Sequence, residues 1–263
     1  MDNNIIVTTV YNPSGDLQEK AGKWAKQLDT IAVPRGRQSL DALKSFYQTD
    51  FLLVVSQRGP VVHTPGGELF FHLSMAELRI KNLDNGKHDH MAEAMKLKTG
   101  MTVLDCTLGL GSDAIVASYI VGDKGRIVGI EKSPILAFIV DYGLQHFSSE
   151  DPNVTNALRR IEVHLKDNQE YLAQLPDKSF DVVFLDPMFR TPIQSSSNLK
   201  PLRFFADNRP LGLSTLQDAC RVARKRVVIK DANCGDVLEN LGVKLFTGGR
   251  YSRVRYGIVE GEP

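Results

Sequence analysis

One stretch constrains this chain more than any other: Val103-Leu104-Asp105-Cys106-Thr107-Leu108-Gly109-Leu110-Gly111-Ser112-Asp113. An apolar run of strand length ends in a carboxylate, passes through a Gly-x-Gly turn and opens a helix. Glycines let the backbone turn sharply and let a ligand approach where a Cβ would clash. The helix N-terminus behind them offers free N–H groups to a polar or anionic ligand end. Strand, glycine turn and helix in that order predict a parallel α/β sheet with a ligand at its strand ends.

The remainder of the chain fits that sheet. Strands are expected over 101–106, 126–131, 161–165, 181–185, 226–230, 243–246 and 252–259. Helices are expected over 112–121, 134–147, 168–175, 213–223 and 236–241. The last two strands are separated only by Thr247-Gly248-Gly249-Arg250, too short for a parallel crossover, so they should form an antiparallel hairpin. A parallel sheet of seven strands closed by such a hairpin is the Rossmann-like class I methyltransferase sheet, not a dinucleotide-binding one. Before residue 100 the pattern is mixed, with strands over 5–10, 51–56, 61–63 and 69–72 and helices over 17–28 and 74–82. Ser74 and Glu77 have the spacing of a capping box. The expected division is a small N-terminal α/β domain over 1–85 and the methyltransferase domain over 86–263.

Composition sets outer limits. With 263 residues and 42% hydrophobic content the chain can bury a full core. No segment approaches the roughly 18 apolar residues of a membrane span, and Met1-Asp2-Asn3-Asn4 has no signal-peptide character, which points to the cytoplasm. Three scattered cysteines give neither a disulfide framework nor a zinc knuckle. His88-Asp89-His90 resembles a metal pair, but residues two apart on a helix do not share a face, so no metal is expected. Trp24 is expected to anchor the small domain. A net charge of +1 leaves nucleic acid open, because a local basic face matters more than the sum.

Two cofactors compete for the glycine loop. Gly109-x-Gly111-x-x-Ala114 also satisfies the dinucleotide fingerprint, and Glu131, at the next strand end, would accept ribose hydroxyls in either case. Asp105 separates them: it would repel a pyrophosphate but suits the charged amine of S-adenosylmethionine. The alternative for Asp105 is a strand-end cap. Asp167, which opens a helix with Asn168, can meet an adenine amino group and cap the helix as well.

A buried strand then leads into Asp186-Pro187-Met188-Phe189, similar to the (Asp/Asn)-Pro-Pro-(Tyr/Phe) motif of enzymes that methylate planar exocyclic amines. Such an amine is a poor nucleophile because its lone pair is delocalised into the ring. Acceptors aimed at its N–H groups, here the Asp186 carboxylate and the Pro187 carbonyl, favour the pyramidal geometry of the transition state. Phe189 can stack on the base, worth about 1–3 kcal/mol. Beyond it, Arg190, Lys200, Arg203, Phe204, Phe205 and Arg209 interleave cations with aromatics, as RNA contacts do. Arg221, Arg224, Lys225, Arg226, Arg250, Arg253 and Arg255 extend the basic character.

From about Gly66 onward the chain resembles the ribosomal RNA small-subunit methyltransferase J family, which N2-methylates a guanine of small-subunit rRNA. The matching pieces are Gly66-Gly67 through Phe70-Phe71 to Arg79, the 105–113 loop, Glu131-Lys132-Ser133-Pro134, Asp186-Pro187-Met188-Phe189 and Lys225-Arg226-Val227-Val228-Ile229-Lys230. The resemblance implies cofactor contacts at Ser112-Asp113 (Arg-Asp in the family), Glu131-Lys132 (Glu-Arg), the Asp167-Asn168 region and Asp186. It also implies an RNA partner. The chain departs from the family at Asp167-Asn168, where the family has Ser-Ser, and in the stretch Arg190-Thr191-Pro192-Ile193-Gln194. The first 60 residues match only in layout. Outside the family, the competing functions are an amine methyltransferase for a small molecule or protein side chain, an NAD-binding oxidoreductase, and an RNA-binding protein on a decayed methyltransferase fold.

Overall fold

The apolar runs form two sheets in the computed structural model, which describes residues 4–187, 200–232, 237–249, 252 and 254–261. The smaller sheet holds β1 (Ile5–Thr9), β2 (Phe51–Ser56), β3 (Gly59–Thr64) and β4 (Gly67–Leu69) in that order. β1 and β2 are parallel, so a crossover carrying α1 (Gly15–Gln27) and α2 (Leu40–Tyr47) joins them; the other pairs are antiparallel. Successive side chains alternate faces. Ile5, Val7, Leu53 and Val55 therefore pack with α1, while Ile6, Leu52 and Val54 pack with Leu43 of α2.

Next come α3 (Ser74–Asp84) and α4 (His90–Met95), followed by the alternating units of the second sheet. These are β5 (Thr102–Asp105), α5 (Ser112–Val121), β6 (Arg126–Glu131), α6 (Pro134–His146), α7 (Pro152–Arg159) and β7 (Ile161–Leu165). The chain continues through α8 (Asn168–Gln174), β8 (Phe180–Leu185), α9 (Leu213–Val222), β9 (Ala223–Ala232), α10 (Val237–Asn240), β10 (Leu245–Thr247) and β11 (Val254–Glu260). The strand order is β10-β11-β9-β8-β5-β6-β7. β11 inserts antiparallel between β9 and β10, so it alone runs against the sheet. This is the seven-stranded Rossmann-like sheet with its closing antiparallel pair. Strand order reverses beside β5, which opens a crevice at the C-terminal ends of β5, β6 and β8.

The differences from expectation have local causes. α2, α4 and α7 are short and bury only one to three side chains each, too little periodicity to read from sequence. α7 does carry a start signal, Asp151 at the N-cap with Pro152 behind it. The N-cap position of α3 falls on Leu73, one residue before the expected Ser74. β10 ends at Thr247 and β11 starts at Val254, so the connection is longer than the expected four-residue turn.

α6 joins the two sheets. Ile135, Leu136, Phe138 and Ile139 face the small sheet, while Val140 and Leu144 face the large one. Trp24 of α1 meets Phe138 and Tyr142 edge-on, each at 5.2 Å, and so anchors the small sheet to the large one. α3 packs on α5, with Leu73, Ala76 and Ile80 inside the large sheet's core. We therefore place the division between the two units between Leu69 and Ser74 rather than at residue 85. Among the described residues, no helix is long and apolar enough to cross a membrane.

Close packing at this joint gives a direct test. A Cβ on Gly143 would lie 1.9 Å from Phe71 Cγ, whereas one on Gly22 of α1 would meet nothing within 4 Å. Gly143→Ala should cost about 1–3 kcal/mol, and Gly22→Ala should add about 0.5–1 kcal/mol. Urea unfolding followed by the fluorescence of the single tryptophan, Trp24, measures both.

Candidate active site

The crevice at the strand ends is a cavity of about 590 Å³, within the roughly 300–1,000 Å³ of small-molecule sites. Its floor is the glycine loop. Gly109 and Gly111 have φ of +54° and +79°, a region that disfavours side chains, and a Cβ on Gly111 would press on Val140 at 3.2 Å. Gly111 is the N-cap of α5, so that helix opens directly into the crevice. At the end of β6 the Glu131 carboxylate accepts the N–H groups of Gly109 (2.9 Å) and Ser133 (2.8 Å), which ties the loop to the neighbouring strand. Burial pushes the Glu131 carboxyl up to about 7 against these hydrogen bonds.

A chain of alternating charges, from Asp89 behind the wall to Arg79, Asp113, Lys230 and Asp186 on it, makes the other side. Asp89 caps α4 and takes two hydrogen bonds from Arg79 of α3. Arg79 also donates to Asp113 in the first turn of α5. Lys230, on β9, bridges Asp113 (3.0 Å) and Asp186 (2.8 Å). Desolvation works against Arg79 and Lys230, but their acidic partners hold both firmly protonated. Burial would raise Asp113, yet Lys230 and Arg79 hold it below the usual carboxylate range. Asp186 goes the other way: burial, with Asp113 nearby, outweighs Lys230 and raises it. Its backbone N–H donates to Thr107 Oγ1 at 2.6 Å, which fixes the start of the motif against the glycine loop.

Gly109, Ser112, Asp113, Glu131, Lys132, Asn168, Asp186 and Pro187 all line this one cavity. Asp105 and Gly111 are not among the lining residues. Asp105 is buried beneath the loop, where its carboxylate accepts the Thr107 N–H and burial pushes it up to about 8. It thus supports the loop from below, closer to the strand-end cap than to an open amine contact. Asp167 caps α8 through Gln169 and Glu170 and also binds Lys132 and Arg209. Met188, Phe189 and Arg190 lie outside the described residues.

The expected basic face is largely committed to internal bonds. Arg221 binds Asp177, Asp218 and the carbonyls of Leu172 and Leu175. Arg224 binds the carbonyls of Lys178 and Ser179; Arg226 is buried against Ala94 and Glu260; Arg255 holds Asp231 and Glu239. Lys225 pairs with Asp181, and Arg209 with Asp207 and Asp167. Arg250 and Arg253 lie outside the described residues. Arg203 lines the cavity, Lys200 is exposed, and Phe204 meets Phe51 of the small sheet edge-on at 5.6 Å. His88 and His90 each approach Glu93. Periodicity and spacing gave no role to Lys230, Arg79 or Thr107. Arg79 and Lys230 stood only among the residues of the family likeness, Lys230 as a cation ending the apolar run Val227-Val228-Ile229, and Thr107 only as a hydroxyl between Asp105 and the glycines.

The family model described as "Putative SAM-dependent methyltransferase" matches residues 67–258. The chain belongs to the SAM-dependent methyltransferase family. A Bacillus subtilis relative, "Uncharacterized protein YpiP", is 36% identical over 98% of this chain and its own full length. The "Ribosomal RNA small subunit methyltransferase J" of Vibrio campbellii is 36% identical over 81% of this chain and 90% of its own length. A solved SAM-dependent methyltransferase from Neisseria gonorrhoeae superposes with a TM-score of 0.65 at 17% identity, covering 97% of this chain and 95% of that one. That likeness carries the fold. Family membership sets aside the oxidoreductase reading: the enzyme is an S-adenosylmethionine-dependent methyltransferase.

The residues present fit this cofactor. The methyl donor is cationic at its sulfonium and amine and carries a ribose, and the cavity presents the carboxylates of Asp113 and Asp186 at one wall and that of Glu131 at the end of β6. As the proposed acceptor of ribose hydroxyls, Glu131 must be ionised. Because the free protein holds it near 7, affinity for S-adenosylhomocysteine should weaken roughly tenfold per pH unit below that value. Calorimetric titration at pH 6 and pH 8 measures this, and Glu131→Gln should bind weakly and without the pH dependence.

Proposed function

We propose that the enzyme methylates an exocyclic amino group of a nucleobase in RNA, namely guanine N2 in small-subunit ribosomal RNA. The observation that carries this reading is the setting of Asp186 at the cavity wall, held on one side by Lys230 and on the other by Thr107. The cofactor supplies a methyl group activated on a sulfonium. The chain's own residues then need only position the amine, since the chemistry is a single in-line displacement.

Asp186 is suited to this task. Its raised carboxyl is a strong acceptor for an amine N–H, and the Lys230 bridge fixes its orientation. Pro187 lines the cavity beside it and stiffens the loop. Met188, Phe189 and Arg190 complete the proposed target site by sequence, with Phe189 stacking on the base. Asp113, Glu131, Lys132 and the Asp167-Asn168 corner are proposed to hold the cofactor, with Asp105 supporting the loop beneath. Lys200 and Arg203 are proposed to meet RNA phosphates, with Phe204 beside them. Arg203 on the cavity lining supports RNA over a small amine, which would need an uncharged pocket.

The test uses small ribosomal subunits from cells lacking the enzyme, a tritiated methyl donor, and nucleoside analysis by mass spectrometry. N2-methylguanosine should carry the label. Asp186→Asn should lower the rate about 10²–10³-fold while S-adenosylhomocysteine still binds. Label confined to protein or to small amines would contradict the reading.

A further inference from the structure

β11 brings a phenol to the cavity beside the charge chain. Val254 and Tyr256 of this strand both line the cavity, and alternate residues of a strand share one face. Tyr256 lies directly opposite Lys230 across the β9–β11 register, and Val254 opposite Ala232. Residues opposed in this way put their side chains on the same face of the sheet. Lys230 therefore has the Asp186 carboxylate at its tip and Tyr256 at its flank.

The Tyr256 ring is packed in the core of the large sheet and is only 7% exposed. A tyrosine so deeply placed ordinarily finds a hydrogen-bond partner for its hydroxyl. Among the described residues none reaches it, and the oxygen is not sealed in the core. What the residue leaves open borders the cavity. A rigidly held hydroxyl thus stands ready for a partner on a bound molecule. Burial, with Asp113 close by, pushes the phenol up to about 12, so it keeps its proton and can donate throughout the neutral range.

The chemistry of the target amine matches this pair of groups. In guanine, adenine and cytosine alike, the carbon that bears the exocyclic amine also bears an unprotonated ring nitrogen. The reacting edge, N=C–NH2, therefore asks for an acceptor and a donor side by side. Asp186 offers the acceptor, fixed by Lys230, and Tyr256 offers the donor beside that same lysine. An alkyl amine, such as a protein lysine, has no neighbouring nitrogen and would leave the hydroxyl unpaired in a closed site, which is a basis for rejecting it.

We propose that the Tyr256 hydroxyl donates a hydrogen bond to the target base beside its reacting amine, and so selects amines of the amidine type found in nucleobases. This deepens the RNA reading above and rests on it. Tyr256→Phe removes the hydroxyl and keeps the ring, so its urea midpoint should equal that of the wild type. With small ribosomal subunits from cells lacking the enzyme and a tritiated methyl donor, the variant should lose about tenfold in kcat/KM for the subunits. KM for the methyl donor and affinity for S-adenosylhomocysteine should be unchanged, whereas a merely structural role would move them together with the subunit kinetics. Wild-type kcat/KM in Tyr256→Phe, with N2-methylguanosine still the product, would overturn the proposal and leave the RNA reading intact. A loss of S-adenosylhomocysteine affinity as large as the loss of rate would also overturn it, by putting the hydroxyl on the cofactor. Label transferred by the wild-type enzyme only to protein or small amines would remove the RNA reading and the proposal with it.

Discussion

Lys230 is the ion on which the site depends. It follows an apolar run and lies between Asp113, on the proposed cofactor side, and Asp186, on the proposed target side. Without it, two carboxylates in a low-dielectric crevice would repel each other, and one would take up a proton or move away. With it, the first turn of α5 and the end of β8 are locked in one arrangement. Arg79 and Asp89 extend the lock to α3 and α4. Five elements remote in sequence thus share one electrostatic unit.

That unit accounts for how a single fold serves donor and acceptor together. The glycine loop, bound to Glu131 on one side and to Asp186 through Thr107 on the other, forms the floor between them. A displacement reaction asks mainly for alignment, and the alignment here comes from a rigid base. Asp105 contributes from below the floor by holding Thr107. Its value therefore lies in shaping the loop, and the charge-chain carboxylates that face the cavity are those of Asp113 and Asp186.

Most of the large sheet was legible in the sequence because its strands are buried on both faces. Runs such as Val182-Val183-Phe184-Leu185 have few alternatives, and the strand ending at Glu131 and the helix over Ser112–Val121 match their expected limits. The reversed last strand followed from the short separation between 246 and 252. Short helices with one buried side chain, such as α2, gave too little pattern. Asp105, Glu131 and Asp186 were legible because each ends a strand or precedes a proline, and Asp167 because it opens a helix, whereas Asp113 was named through the family likeness. The cations pairing with them were not, since an arginine on a helix reads the same whether it meets water or Asp113. The basic stretches misled for the same reason: Arg221, Arg224 and Arg255 read as an RNA surface but bind carbonyls and carboxylates of their own chain. Partner identity is a tertiary property, and charge alone does not encode it.

A double-mutant cycle on Asp113→Asn and Asp186→Asn, read by urea unfolding, tests the shared-lysine account most directly. Either single change leaves Lys230 one acidic partner and relieves the repulsion between the two carboxylates. The double change strands a buried ammonium, so it should cost more than the sum of the two singles by at least about 1 kcal/mol. Additivity within about 0.5 kcal/mol would mean that the two aspartates are held independently, and the charge chain would not be the structural unit described.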